Sequence, residues 1–154
     1  MPEILCFSDG SCNNLKGDGG YAYVIIKRED GIETVLHEGY GHEEPTTNNR
    51  MEMKAALEAV RKALELGYEE FEVRSDSSYL INCFRQKWYR RWRLNGWKNS
   101  KDKPVENKDI WEDLLTLHDS MDITWIHVKG HAGVKYNERC DVLAGEARLG
   151  KKSN

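Results

Sequence analysis

The hydrophobic and polar positions of the chain fall into blocks whose period changes several times. Residues 4–7 form an unbroken apolar run, followed by Ser8, Asp9 and Gly10. Such a run suits an interior strand covered on both faces. The pattern predicts that the strand stops at Asp9 and that Gly10 turns the chain away. Residues 10–20 have the composition of a loop. Residues 21–27 and 33–41 are rich in β-forming residues and flank the pair Asp30-Gly31, a strong hairpin signal. The first three strands therefore read as an antiparallel meander.

The period then lengthens. Residues 50 to about 65 are dense in good helix formers, with an apolar stripe at Ala56, Ala59, Val60 and Ala63 and a stop at Gly67. Glu52 lies four residues before Ala56, on the same face. Residues 71–76 read as a short strand ending in a second acid, Asp76. Residues 77 to about 92 read as one helix, with Leu80, Phe84, Trp88 and Trp92 at four-residue spacing. A polar loop over 98–108, a helix from 109 to about 118 and a strand over 123–128 follow. A glycine-flanked loop carrying His131 leads to a last helix over 136–149, and residues from about 150 to 154 fray. Asp141 sits at the edge of that helix's stripe of Cys140, Leu143, Ala144 and Ala147. The strand and helix blocks imply an α/β fold. No repeat or linker divides the chain, so one domain over 1–154 is expected.

Composition changes this picture in two places. The chain is 39% hydrophobic and 32% charged with a net charge of −3, which suits a globular protein but not, on average, a nucleic-acid binder. The average conceals a stretch, 85–103, with eight Lys or Arg and one Asp, leaving −10 on the remainder. Trp88, Tyr89, Trp92 and Trp97 are interleaved with these cations. Flat rings beside Arg and Lys suit a sugar-phosphate backbone and exposed base faces; a solvated basic helix face is the plainer reading. Cys6, Cys12, Cys83 and Cys140 show no metal spacing and read as free thiols of a reducing cytoplasm. The apolar runs are too short to span a membrane, and neither a leader peptide nor a membrane partner is expected.

The candidate chemistry lies in four scattered acids. Asp9 and Asp76 end strands, while Glu52 and Asp141 lie on or beside buried helix stripes. Taken singly, each has an ordinary explanation: a turn, or an interaction with a helix N-terminus. Together they could not share a dry site without cations. Oxygen-only ligation suits Mg²⁺ or Mn²⁺ rather than zinc.

The segments 8–12 (Ser-Asp-Gly-Ser-Cys), 47–52 (Thr-Asn-Asn-Arg-Met-Glu), 75–77 (Ser-Asp-Ser), 95–98 (Asn-Gly-Trp-Lys), 128–133 (Val-Lys-Gly-His-Ala-Gly) and 137–141 (Asn-Glu-Arg-Cys-Asp) resemble, in order and over nearly the whole chain, those of type 1 ribonuclease H in its single-domain, bacterial-like form. The resemblance implies a ribonuclease H-like fold: a mixed five-stranded sheet with three antiparallel N-terminal strands, flanked by helices. It implies a monomeric endonuclease that cuts the RNA strand of an RNA/DNA hybrid and leaves 5′-phosphate and 3′-hydroxyl ends. Two Mg²⁺ ions, with Mn²⁺ as a substitute, would be held by Asp9, Glu52, Asp76 and Asp141. His131 would assist the leaving side and product release, with Glu138 as a second acid nearby. Cys12, Asn13, Asn14, Asn48 and Asn49 would meet the RNA strand. Thr47 and Asn107 would grip a DNA phosphate, and Trp88, Trp92, Trp97 and Lys98 would line the DNA-strand channel.

The sequence also departs from that pattern. Pro45 stands where several relatives carry Arg in the phosphate pocket, and Ser78 where one carries Gln. The stretch from Asp76 to Trp88 is one residue longer than usual, so the basic protrusion is expected to tilt differently. No separate hybrid-binding domain is expected before Asp9. The competing readings are a catalytically silent nucleic-acid-binding domain and a transposase- or resolvase-type nuclease on the same fold. The His131 loop and the Trp-rich basic stretch argue against the second.

Overall fold

The computed structural model describes residues 2–129 and 135–150. Among the described residues, five strands and five helices follow one another as β1 (Glu3–Asn13), β2 (Asp18–Glu29), β3 (Ile32–Glu43), α1 (Asn48–Glu65), β4 (Glu70–Ser75), α2 (Ser78–Arg85), α3 (Trp88–Asn95), α4 (Lys108–Ser120), β5 (Asp122–His127) and α5 (Lys135–Arg148). The sheet order is β3-β2-β1-β4-β5. β1, β2 and β3 pair antiparallel, whereas β4 runs parallel to both β1 and β5. This is the mixed five-stranded sheet anticipated from the sequence, with β1 at its centre.

The apolar run of β1 is continuous because both of its faces are covered. Ile4 and Cys6 point into the larger core cluster, with Tyr23, Ile25, Val73 and the buried sides of α1, α2 and α4. Leu5 and Phe7 point the other way, with Ala22, Val24 and Ile26 of β2 and Tyr136, Cys140, Leu143 and Ala144 of α5. The side-chain alternation of a strand thus splits one apolar run between two cores. α1 is capped at Thr47, whose side-chain hydroxyl accepts from the Arg50 backbone N–H at 3.2 Å, and the chain turns beyond it through Gly67 at φ 96°. Among the described residues no helix is long and apolar enough to cross a membrane, and the four cysteines are free thiols.

Two expectations need correction. The first strand does not stop at Asp9: it pairs with β2 from Glu3↔Arg28 to Asn13↔Asp18, so most of the expected 10–20 loop is strand. Gly17 does turn the chain, at φ 74°, but Gly10, Gly19 and Gly20 serve close approach. A Cβ on Gly20 would run into the backbone of α5 at Ala144 and Arg148. Second, the helix expected over 77–92 is two helices. Lys87 adopts a left-handed conformation at φ 58° between α2 and α3, and Ser77 is an N-cap, not a helical residue. Four-residue spacing of Leu80, Phe84, Trp88 and Trp92 cannot reveal this break, because both helices bury rings against the same cluster.

Candidate active site

The parallel pairing of β1 and β4 sets the site. Ser8 lies opposite Ser75, so Asp9 and Asp76, the next residue of each chain segment, emerge side by side at the carboxyl end of β4, where ligand crevices of open α/β sheets form. β1 continues past this point on the β2 side alone, which anchors Asp9 within a strand rather than at a loose end. α1 brings in the third acid. Its first turns cross directly over Gly10, where an added Cβ would stand 2.5 Å from the Glu52 backbone nitrogen and 2.6 Å from the Met51 carbonyl carbon. Gly10 is therefore required by packing and not by a turn. Its N–H donates both to Asp9 Oδ1 at 2.9 Å and to Glu52 Oε1 at 2.7 Å. One backbone donor thus sits between two carboxylates.

Asp9, Glu52 and Asp76 each offer a carboxylate oxygen, and these atoms lie within 4.8 Å of one another. Asp9 and Glu52 are buried, at 7% and 5% exposure, and Glu52 Oε2 is sealed without a hydrogen-bond partner. Burial pushes the Asp9 carboxyl up to about 6, with the charges of Asp76 and Asp141 adding, while hydrogen bonds from Glu52 and Gly10 work in the opposite direction. Glu52 is driven well above the ordinary carboxylate range, first by burial and then by its bond to and charge repulsion from Asp9. Two carboxylates in this position cannot both ionise comfortably. An orphaned buried oxygen, three converging hard donors and a shortage of positive charge match a divalent cation of the Mg²⁺ type.

Asp141, exposed on α5, lines the same polar cavity of about 430 Å³ together with Asn48, Asn49, Ser77, Ser78 and Tyr79. It faces the three acids across the cavity without joining their 4.8 Å group. Glu138 is exposed one turn earlier on α5 and does not line the cavity. His131 lies outside the described residues. Cys12, partly exposed, directs its thiol toward the Thr46 carbonyl at 3.7 Å. Asn13 Oδ1 caps the following turn, accepting from the N–H groups of Leu15 and Lys16, and Asn14 is exposed.

The larger cleft, about 870 Å³, runs along the basic protrusion and is lined in part by Lys87, Trp88, Arg90, Arg91 and Asn107. The chemistry belongs to the smaller, polar cavity, but Asn49 and Tyr79 line both, so the two adjoin. The rings here are graded by depth. Trp92 is 6% exposed and lies between Trp97, Trp88 and Trp111, with ring centroids 5.8, 6.3 and 5.5 Å away. Trp92 also lines this cleft, but it is mostly covered: it is the packed base on which half-buried Trp88 and Trp97 rest. Lys98 is exposed, and Lys108 places its ammonium 5.6 Å from the centre of the Trp97 ring.

One feature escaped the sequence reading. Arg50 lies in the first turn of α1, where the helix dipole disfavours a cation, and that misfit was the available signal. Its guanidinium meets Glu43, grips Asp109 with both terminal nitrogens and donates to Asn107 Oδ1 at 3.2 Å.

Comparison with known proteins agrees with this geometry. A family model described as RNase H matches residues 1–148. A curated relative, the Ribonuclease H of Symbiobacterium thermophilum, is 43% identical over 148 residues, covering 96% of this chain and 95% of its own. Among solved structures, LC9-RNase H1, described as a type 1 RNase H with the type 2 active-site motif, superposes with a TM-score of 0.84 at 27% identity over 99% of this chain and 74% of that one. LC11-RNase H1, solved in complex with an RNA/DNA hybrid, shares the fold at a TM-score of 0.72 and 21% identity, covering 96% of this chain and 98% of its own. Whole-chain matches to sequence relatives and a sheet that brings three acids to one crevice lead to the same place: the chain belongs to the ribonuclease H family.

Proposed function

We propose that this member of the ribonuclease H family hydrolyses the RNA strand of RNA/DNA hybrids, with Mg²⁺ ions held by Asp9, Glu52, Asp76 and Asp141, leaving 5′-phosphate and 3′-hydroxyl ends. The observation that carries the reading is the convergence of Asp9, Glu52 and Asp76 oxygens within 4.8 Å, with Glu52 Oε2 buried and unpartnered. When bound, divalent ions supply an activated water and stabilise the leaving oxygen. The chain's own part is positional. The Gly10 N–H fixes one oxygen each of Asp9 and Glu52, β4 delivers Asp76, and α5 sets Asp141 across the cavity as the fourth acid. His131 assists the leaving side and product release, and Glu138 serves as a further acid. Nothing among the described residues favours a silent binding domain.

The substrate assignments follow the same surface. Asn48 and Asn49 line the acid cavity and, with Cys12, Asn13 and Asn14, are suited to the 2′-hydroxyls of a shallow minor groove. Thr47 and Asn107 hold a phosphate of the DNA strand, and Trp88, Trp97 and Lys98 carry its backbone, with Trp92 supporting them. LC11-RNase H1, of the same fold, was solved on such a hybrid, which supports this choice of substrate. A single domain acting as a monomer in the cytoplasm accommodates the free thiols. The test is cleavage of end-labelled RNA/DNA, RNA/RNA and DNA/DNA duplexes of one sequence, with Mg²⁺ or with EDTA. RNA cut only in the hybrid and only with metal is the expected result; equal cutting of RNA/RNA overturns the two-strand assignment.

A further inference from the structure

We propose that Arg50 is a positioning residue: it locks the Asn107 side-chain amide with its oxygen inward, so that the NH₂ group is presented to a phosphate of the DNA strand. This rests on the reading above that Asn107 and Thr47 form that phosphate pocket.

Four observations carry it. First, Asn107 occupies the N-cap of α4 but makes no side-chain cap bond, and it holds a left-handed backbone at φ 59°. An N-cap Asn ordinarily spends its side chain on the first free N–H groups of the helix; this one is withheld. Second, its Oδ1 accepts from Arg50 Nη1 at 3.2 Å. A guanidinium only donates, so the amide oxygen must face it and the NH₂ must face away. Asn107 is half-buried and lines the larger cleft, and among the described residues its Nδ2 has no partner. Third, four of the five Arg50 donors are already engaged, which leaves little of it for phosphate. Nε serves Glu43, Nη1 serves Asn107 and Asp109, and Nη2 serves Asp109. With two carboxylates on one cation, the cluster carries a formal −1. Fourth, the same residue reaches the other half of the pocket, because the Arg50 backbone N–H donates to Thr47 Oγ1 at 3.2 Å and leaves that hydroxyl's own hydrogen available. The Arg50 guanidinium thus fixes the outward donor of Asn107, while the backbone N–H of the same residue, which any residue but proline would supply, holds Thr47. Lys cannot replace Arg50, since an ammonium lacks the planar fork that meets Glu43, Asp109 and Asn107 together.

The test is a double-mutant cycle of Arg50→Gln and Asn107→Ala, with Arg50→Lys as a variant that keeps the charge and guards against misfolding. Each protein is assayed with Mg²⁺ on hybrids whose DNA strand carries one uncharged methylphosphonate at successive positions. In the unmodified protein one position should raise KM about tenfold, the loss of a charge-assisted bond. Asn107→Ala should raise KM about tenfold on the natural hybrid and become indifferent to that position. Arg50→Gln and Arg50→Lys should do the same, and the double variant should be no worse than the poorer single one. If Asn107→Ala leaves KM and the methylphosphonate pattern unchanged, the phosphate-pocket reading fails. If Asn107→Ala behaves as stated while the Arg50 variants keep their sensitivity to that phosphate, or the two effects multiply, the pocket stands and the positioning role is wrong.

Discussion

Asp9→Asn should make the metal-free protein more stable while abolishing cleavage. Asn keeps an oxygen for the Gly10 N–H but removes one charge from a buried, crowded pair. Burial and the neighbouring acids push the Asp9 carboxyl from 3.8 to about 6, roughly two pH units, which corresponds to about 3 kcal/mol at most. The sign follows from the raised value. The neutral form is favoured in the folded state, so this contribution is intact below about pH 4 and lost as the pH rises through about 6. The stability gap between variant and parent should therefore open between pH 4 and 6 and be complete at pH 7.5. For a chain of this size, about 1 kcal/mol shifts Tm by roughly 2–4 °C, so a rise of several degrees is expected in EDTA. Added Mg²⁺ should raise the parent's Tm and leave the variant's unchanged. Thermal melts at pH 4 and pH 7.5, with EDTA or Mg²⁺, measure all four corners. No rise in EDTA at pH 7.5, or a rise just as large at pH 4, would refute the reasoning.

Three further outcomes are expected. Gly10→Ala puts a methyl group 2.5 Å from the Glu52 nitrogen, so α1 must shift; a loss of about 1–3 kcal/mol in urea unfolding and a large fall in kcat should appear together, and a variant with parental activity would mean that the crossing is not needed. Arg90 and Arg91 line the larger cleft, whereas Arg93 is tied to Asp119 at 2.9 Å; Arg90→Gln with Arg91→Gln should therefore raise KM and flatten its salt dependence, while Arg93→Gln should change the slope little. His118 accepts from Trp125 Nε1 at 3.1 Å, and burial holds its imidazole below the ordinary value of 6.5. Its contribution to stability is present above that value and lost as the pH falls through it, so Tm between pH 7.5 and 5 should fall less steeply in His118→Gln than in the parent.

Much of this architecture was legible in the sequence, and the misses share a cause. Apolar spacing marked most of the buried blocks, because each buries a face and the spacing records that burial, while β3, which has no buried residue, was legible from its β-forming residues and the Asp30-Gly31 pair. Spacing failed where backbone, not side chains, made the contact. Gly10 and Gly20 carry no apolar signal, and a glycine-rich stretch that lies flat under α1 and α5 has the same composition as a loop. The break at Lys87 was hidden because Phe84 and Trp92 both enter the larger core across it. In the site, Glu52 was readable from its place on a buried stripe, and Asp9 and Asp76 from their places at expected strand ends. The Arg50 cluster was not, since its partners Glu43, Asn107 and Asp109 lie 7, 57 and 59 positions away in sequence and nothing in local spacing brings them together.

The sheet's second face has a consequence for how the chain can fail. Leu5, Phe7, Ala22, Val24 and Ile26 share their buried cluster with Tyr136, Cys140, Leu143 and Ala144 of α5, and that helix also brings Asp141 to the acid cavity. A molecule in which α5 has come away would lose one acid of its site and, in the same event, expose a strip of bare apolar sheet. Inactivity and stickiness would then arrive as one state, and a nicked or half-made chain would be recognisable to a cell's quality-control machinery by the very surface whose covering completes the site.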